Sequence, residues 1–128
     1  MAKKPRILIV DDSQYQRSRA KKLLEENGFS VIEALDGIEG VCTFRKEAPD
    51  LVIMDINMPY MEGIEALEYI KKLDENAIVI MFTTLDDEKT IMKAIKAGAK
   101  DYIVKPLDPE RMIATIRRFL SLAARGKD

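Results

Sequence analysis

Five short apolar runs, each followed by a longer stretch with helical spacing, restrict this chain more than any other feature. The runs are Ile7–Val10, Val31–Ala34, Leu51–Met54, Ile78–Phe82 and Tyr102–Val104, all of strand length and too short for a helix. Between and after them, apolar residues recur at helical spacing: Ala20, Leu23 and Leu24; Ile38, Val41 and Cys42; Ala66, Leu67 and Ile70; Ile91, Ala94 and Ile95; and Met112, Ile116, Phe119, Leu120 and Ala123. Parallel strands need crossovers long enough to hold a helix, so this alternation predicts a parallel sheet. The first, third and fourth runs are continuously apolar, as strands covered on both faces are. The pattern therefore predicts a three-layer, doubly wound α/β fold. Asn27-Gly28 and Ala97-Gly98 read as helix stops, and Ser13, Asp36 and Asp108 as N-caps, the last followed by Pro109 at the first helical position. A length of 128 residues with 47% hydrophobic content suits one core, so residues 1–128 are expected to form one domain.

The polar residues hardest to explain as ordinary surface fall at strand ends. Asp11 and Asp12 follow the first strand, Asp55 ends the third, Thr83 follows the fourth and Lys105 the fifth. In a parallel sheet these ends share one edge, and open α/β sheets bind ligands there, where the winding reverses. With strand order 2-1-3-4-5, that point lies between the first and third strands and brings Asp11 and Asp12 beside Asp55. Three carboxylates in one crevice raise one another's pKa unless a cation is present. An all-oxygen set that leaves room for water favours a hard divalent ion and suits Mg²⁺ better than Ca²⁺. Lys105 adds a fixed positive charge and Thr83 a hydroxyl, so that metal, ammonium and hydroxyl would together make a pocket for a phosphoryl group.

Composition removes several alternatives. The chain has no histidine, which excludes Ser-His catalysis, His-ligated zinc and phosphohistidine chemistry within it. With 21 basic and 22 acidic residues, no global field draws it to nucleic acid or to a membrane. Nothing approaches the roughly 20 apolar residues of a membrane span, and Ile7–Val10 is too short for a signal-peptide core. The single cysteine, Cys42, makes no internal disulfide, and its place beside Val41 and near Phe44 predicts packing. These features lead us to expect a cytoplasmic protein.

Taken together, Ile7-Leu8-Ile9-Val10-Asp11-Asp12-Ser13, Leu51-Val52-Ile53-Met54-Asp55 with Met58-Pro59 and Gly63, Thr83, and Gly98-Ala99-Lys100-Asp101-Tyr102 running into Lys105-Pro106 resemble the receiver domains of two-component response regulators, and within them the single-domain chemotaxis regulators. The resemblance covers essentially the whole chain. It implies a flavodoxin-like (βα)5 fold with a five-stranded parallel sheet of order 2-1-3-4-5. It implies that Asp55 accepts a phosphoryl group from a phosphohistidine on a sensor histidine kinase, with Mg²⁺ held by Asp11, Asp12, Asp55 and the backbone carbonyl of Asn57. Thr83 and Lys105 match residues that contact the phosphoryl oxygens, Tyr102 matches the aromatic that turns inward when Thr83 moves, and the Lys105-Pro106 bond is typically cis in such domains. A downstream effector is expected on the face of the fourth helix, fifth strand and fifth helix. Lys89, Lys93, Lys96, Arg111, Arg117 and Arg118 are candidates for that face. The resemblance further implies a phosphoacceptor rather than an enzyme acting on outside substrates. It leaves open a monomer, a phosphorylation-dependent homodimer, and a receiver separated from a larger regulator. Leu107, Tyr60 and Thr84 depart from the common family residues; Thr84 and Asn57, flanking the path of attacking water, are expected to slow phosphoryl hydrolysis.

Each residue also has a plainer reading. Asp11-Asp12 alone is a favourable acidic pair at a helix N-terminus; Thr83 alone is a capping hydroxyl, Lys105 a solvated loop lysine, Tyr102 a half-buried strand aromatic, and the basic residues a solvated helix face. Asp55 resists such a reading, since a carboxylate continuing a buried run is costly without a partner. A flavodoxin-like cofactor protein shares the layout, but Asp11-Asp12 would repel a nucleotide phosphate where bare amides are wanted, and no phosphate-binding glycine motif occurs. A phosphatase resembling the haloacid dehalogenases would carry a second acid at position 57, where this chain has Asn57.

Overall fold

The computed structural model describes residues 3–126; Met1, Ala2, Lys127 and Asp128 lie outside the described residues. Strands and helices alternate as β1 (Arg6–Val10), α1 (Gln14–Glu26), β2 (Ser30–Ala34), α2 (Gly37–Glu47), β3 (Leu51–Met54), α3 (Gly63–Leu73), β4 (Val79–Thr83), α4 (Glu88–Lys96), β5 (Asp101–Val104) and α5 (Pro109–Gly126). The strands form one sheet of order β2-β1-β3-β4-β5. All four pairings are parallel, with Val10 opposite both Ala34 and Met54, and Thr83 opposite Val104. This is the doubly wound, flavodoxin-like arrangement that the apolar pattern and the resemblance imply.

Because side chains alternate across a strand, the sheet feeds two cores. Leu8, Val10, Val52, Met54, Val79 and Met81 pack with Phe44 of α2, Leu67 and Ile70 of α3, and Ala94 of α4. Ile7, Ile9, Leu51, Ile53, Ile80 and Phe82 pack with Ala20 and Leu24 of α1 and with Met112 and Ile116 of α5. The three central strands are covered on both faces, which is why, after Arg6 at the start of β1, they carry no polar residue until their C-terminal ends. Truncating a fully buried side chain here, such as Leu67 or Met54, costs roughly 2–5 kcal/mol.

The helix ends follow local chemistry. Ser13 and Asp36 accept the amides of Gln16 and Glu39 as N-caps, and Asp108 accepts the Arg111 amide just ahead of Pro109. Glu62 and Asp87 cap α3 and α4 in the same way, two caps that the apolar pattern does not reveal. Gly28 and Gly98 take the left-handed φ values of 89° and 110° that end α1 and α4.

Helix α2 departs from the expected stripe. Its buried residues are Gly37, Gly40 and Phe44, while Ile38 and Cys42 are exposed. The expectation that Cys42 packs inside is therefore corrected. The cause is close approach: a methyl on Gly40 would come within 2.9 Å of Val10 Cγ1, and one on Gly37 would run into the carbonyl of Met61. The helix turns Gly40 to the sheet and Gly37 to the β3–α3 loop, and periodicity counted on large apolar residues does not register that face.

Candidate functional site

The C-terminal ends of β1, β3, β4 and β5 bring together Asp11, Asp12, Asp55, Thr83 and Lys105. Asp55 follows directly on the last residue of β3, and its amide donates to the carbonyl of Val10 at 2.9 Å. The β1–β3 register, with no other strand between them, is thus continued one residue past the strand and places Asp55 against the start of the β1–α1 loop. A methyl on Gly63 would strike the Asp55 carbonyl, so the start of α3 lies flush against the backbone that carries this acid.

Asp55 is buried, and its Oδ1 accepts the Ile56 amide at 2.7 Å. The Lys105 ammonium donates to Asp55 Oδ2 at 3.2 Å and to Asp11 Oδ2 at 2.8 Å. With its side chain only 7% exposed, Lys105 is a fixed internal cation and not a solvated loop lysine. It also lies over the Phe82 ring, 5.4 Å from the centroid. Asp11 is buried and its Oδ1 accepts the Ser13 amide at 2.9 Å, whereas Asp12 is exposed.

One carboxylate oxygen from each of Asp11, Asp12 and Asp55 lies within 4.8 Å of the other two. Burial raises the Asp55 carboxyl above the ordinary carboxylate range; the Lys105 ammonium opposes that rise, the Asp11 charge reinforces it, and the Thr83 hydroxyl and Ile56 amide oppose it. One ammonium thus leaves the carboxylates undercompensated. An oxygen-only donor set with an unmet demand for positive charge fits a hard divalent cation. Asn57 is exposed on the turn after Ile56, and among the described residues no hydrogen bond joins it to the carboxylates.

Thr83, the last residue of β4, is fully buried. Its carbonyl accepts the Lys105 amide at 2.8 Å, which fixes the β4 and β5 ends side by side. Its hydroxyl accepts the Leu85 amide at 3.4 Å. The carbonyl of the same Leu85 accepts the hydroxyl proton of Tyr102 at 2.7 Å. Tyr102 is turned inward and buried, and this desolvation, with the charges of Asp87, Asp55 and Asp86, pushes its phenol up to about 12. Lys105-Pro106 is a cis peptide bond.

Two contributors escaped the reading of strand ends. Leu85 joins the Thr83 and Tyr102 hydroxyls through one residue. Arg17 is buried and donates from Nη1 to the Asp11 carbonyl at 2.7 Å. The signal for Arg17 was its place on the stripe of Ala20 and Leu24, where a charged side chain has to be buried.

The response regulator receiver domain family matches residues 7–117. The chain is 44% identical over 117 residues to the chemotaxis protein CheY of Bacillus subtilis, covering 91% of this chain and 98% of that protein. It is 41% identical over 114 residues to CheY of Thermotoga maritima, covering 88% and 95%. Among solved structures, a CheY-like receiver domain protein from Methanospirillum hungatei superposes with a TM-score of 0.92 at 33% identity, over 96% of this chain and 98% of that one. CheY in the CheX-CheY-BeF3-Mg complex of Borrelia burgdorferi gives 0.85 at 36% identity, over 88% and 86%. These similarities leave no support for a flavodoxin-like cofactor protein. Strand order, acidic strand ends and these matches agree, and the chain belongs to the response regulator receiver domains of two-component signalling, in their CheY-like form.

Proposed function

We propose that this receiver is a phosphorylation switch in which Asp55 is the acceptor. A sensor histidine kinase is the donor, and a partner protein in the cytoplasm reads the result. The observation that carries this reading is the single buried ammonium of Lys105 shared between Asp11 and Asp55. It holds one face of Asp55 while the carboxylate cluster retains the capacity for a divalent cation.

Asp11, Asp12 and Asp55, with the Asn57 carbonyl, would hold Mg²⁺, which supplies neutralisation of phosphoryl oxygen charge. The chain's own residues do the rest. An Asp55 carboxylate oxygen attacks the phosphorus in line, the P–N bond to the kinase histidine breaks, and its electron pair returns to the imidazole, which takes up a proton. The product is an acyl phosphate on Asp55. Lys105 and Thr83 lie within reach of the new oxygens, and such sites work mainly by positioning and charge neutralisation. This chain acts on itself and not on outside substrates: position 57 offers an amide where a phosphatase of the haloacid dehalogenase type has a second acid.

The phosphoryl group replaces one negative charge by about two and adds acceptor oxygens. The Thr83 hydroxyl, which accepts the Leu85 amide, then donates its proton to a phosphoryl oxygen, and its turn toward that oxygen strains the Leu85 contact. A change at Leu85 is felt at once by Tyr102, which lies between α4 and α5 in sequence. Exposed Met92 and Ile95 on α4, flanked by exposed Lys89, Lys93 and Lys96, offer a mixed apolar and basic face for an effector there.

Mg²⁺-dependent labelling by acetyl phosphate, followed by intact mass, tests the reading. The wild-type chain takes up one phosphoryl group and Asp55→Asn takes up none. Equal labelling of the two, or labelling unaffected by removal of Mg²⁺, overturns it.

A further inference from the structure

We infer that Arg17, anchored by Glu33, is the positioning residue for Asp11 in the cation site; this rests on the reading of that site as a Mg²⁺ centre. Arg17 is only 9% exposed, a depth at which an arginine requires partners. Its Nη1 donates to the Asp11 carbonyl at 2.7 Å, and its Nε lies 3.4 Å from Glu33 Oε1. Glu33 is also 3.5 Å from Lys21, one turn further along α1.

The geometry surrounds Asp11 on three sides. Its amide donates to the Ala34 carbonyl of β2, its carbonyl accepts Arg17 from α1, and its carboxylate accepts the Ser13 amide and the Lys105 ammonium. Glu33 and Ala34 are adjacent in β2, so the strand that holds the Asp11 amide also anchors the guanidinium that holds its carbonyl. With that carbonyl fixed, the peptide planes on either side of Asp11 are fixed, and the direction of its carboxylate follows.

Stability alone does not account for the arrangement. Among the described residues Arg17 Nε faces Glu33 as an ion pair without hydrogen-bond geometry, an arrangement that by itself makes a poor contribution to folding. What the guanidinium does complete is its contact with a metal-site residue, and residues that orient ligands from behind typically change metal affinity about 10- to 100-fold when altered. A lysine has one ammonium in place of the planar fork and does not serve both the Asp11 carbonyl and Glu33.

The test uses the full chain and two readouts. Mg²⁺ titration is followed by the backbone amide signals of Asp11 and Asp12, and hydrogen exchange of the Ser13 amide is measured without metal. Arg17→Met is expected to bind Mg²⁺ about tenfold more weakly and to exchange its Ser13 amide faster. Arg17→Lys recovers only part of the affinity, and Glu33→Gln weakens it by a smaller factor. Ile116→Val, which loosens the core beneath α5, lowers the melting temperature and leaves both readouts unchanged. A folded Arg17→Met with wild-type affinity and wild-type Ser13 exchange overturns the inference, as does wild-type behaviour of Glu33→Gln if Arg17→Met fails to fold. A wild-type chain that binds no Mg²⁺ overturns the metal reading instead, and Ser13 exchange in the metal-free variants then decides the role of Arg17.

Discussion

Tyr102 donates its hydroxyl proton to the backbone carbonyl of Leu85 at 2.7 Å, and Leu85 returns its amide to the hydroxyl of Thr83. One residue of the β4–α4 loop therefore connects the hydroxyl beside Asp55 to the aromatic on β5. Tyr102→Phe removes the donor and leaves the Leu85 carbonyl unpaired, at a cost of about 1 kcal/mol. Urea denaturation is expected to show that loss, and the Leu85 amide signal to move, while the initial rate of labelling by acetyl phosphate stays close to wild type because Tyr102 does not touch the acceptor carboxylate.

The same phenol predicts an alkaline dependence. Its pKa is raised to about 12 from an ordinary 10, chiefly by burial, so the folded state favours the protonated form. That stability is fully present below the unfolded value and is lost as pH rises from about 10 through 12. Denaturation midpoints measured between pH 9 and 11 should fall more steeply for the wild type than for Tyr102→Phe, and equal slopes would refute the assignment.

Asp55 gives the opposite end of the scale. Its carboxyl is raised by burial and by Asp11 despite Lys105, so without metal its contribution is greatest below the ordinary carboxylate pKa and is lost as pH rises through the folded value. Asp55→Asn should therefore melt a few degrees higher than wild type at pH 7 without Mg²⁺, with the gap closing as pH approaches 4. Adding Mg²⁺ should raise the wild type more than the variant, since binding to the folded state alone stabilises it. Thermal melts at the two pH values, with and without metal, give all four comparisons.

Gly63 meets the carbonyl of Asp55 so closely that no side chain fits. Gly63→Ala must push the start of α3 away from β3, and overpacking of this kind costs roughly 1–3 kcal/mol. We expect reduced stability in urea together with slower labelling of Asp55, whereas Gly28→Ala at the end of α1, where a methyl meets nothing within 4 Å among the described residues but φ is 89°, should lower stability without slowing the labelling.

Thr84 is exposed directly after the buried Thr83, and a side chain larger than Ala or Gly there is expected to obstruct water approaching an acyl phosphate. Thr84→Ala is expected to speed loss of the phosphoryl group several-fold without changing the rate at which it is gained. Decay of labelled protein after removal of the donor measures this, and an unchanged lifetime would show that Thr84 does not shield the phosphoryl group.

By itself the amino-acid sequence determined the elements and their order along the chain, while the strand order in the sheet followed only from the family resemblance. Runs such as Leu51–Met54 and stripes such as Ala66, Leu67 and Ile70 state their burial directly, because apolar residues with one period have one way to leave water. It also placed Asp11, Asp12, Asp55, Thr83 and Lys105 at strand ends, since a parallel sheet puts all those ends on one edge. Tertiary structure alone decided what those residues touch. That Lys105 serves Asp11 and Asp55 together depends on a contact across 94 and 50 residues of chain, which no local pattern encodes. The inward face of α2 was settled by Gly37 and Gly40 at the closest approach of helix to neighbour, leaving Ile38 and Cys42 outside. Arg17 was visible only as a charged residue on a buried stripe; its partners, Asp11 and Glu33, became evident once β1, β2 and α1 were packed. Periodicity reports which side of an element avoids water, whereas pairing of buried polar groups depends on distances that only the assembled layers fix.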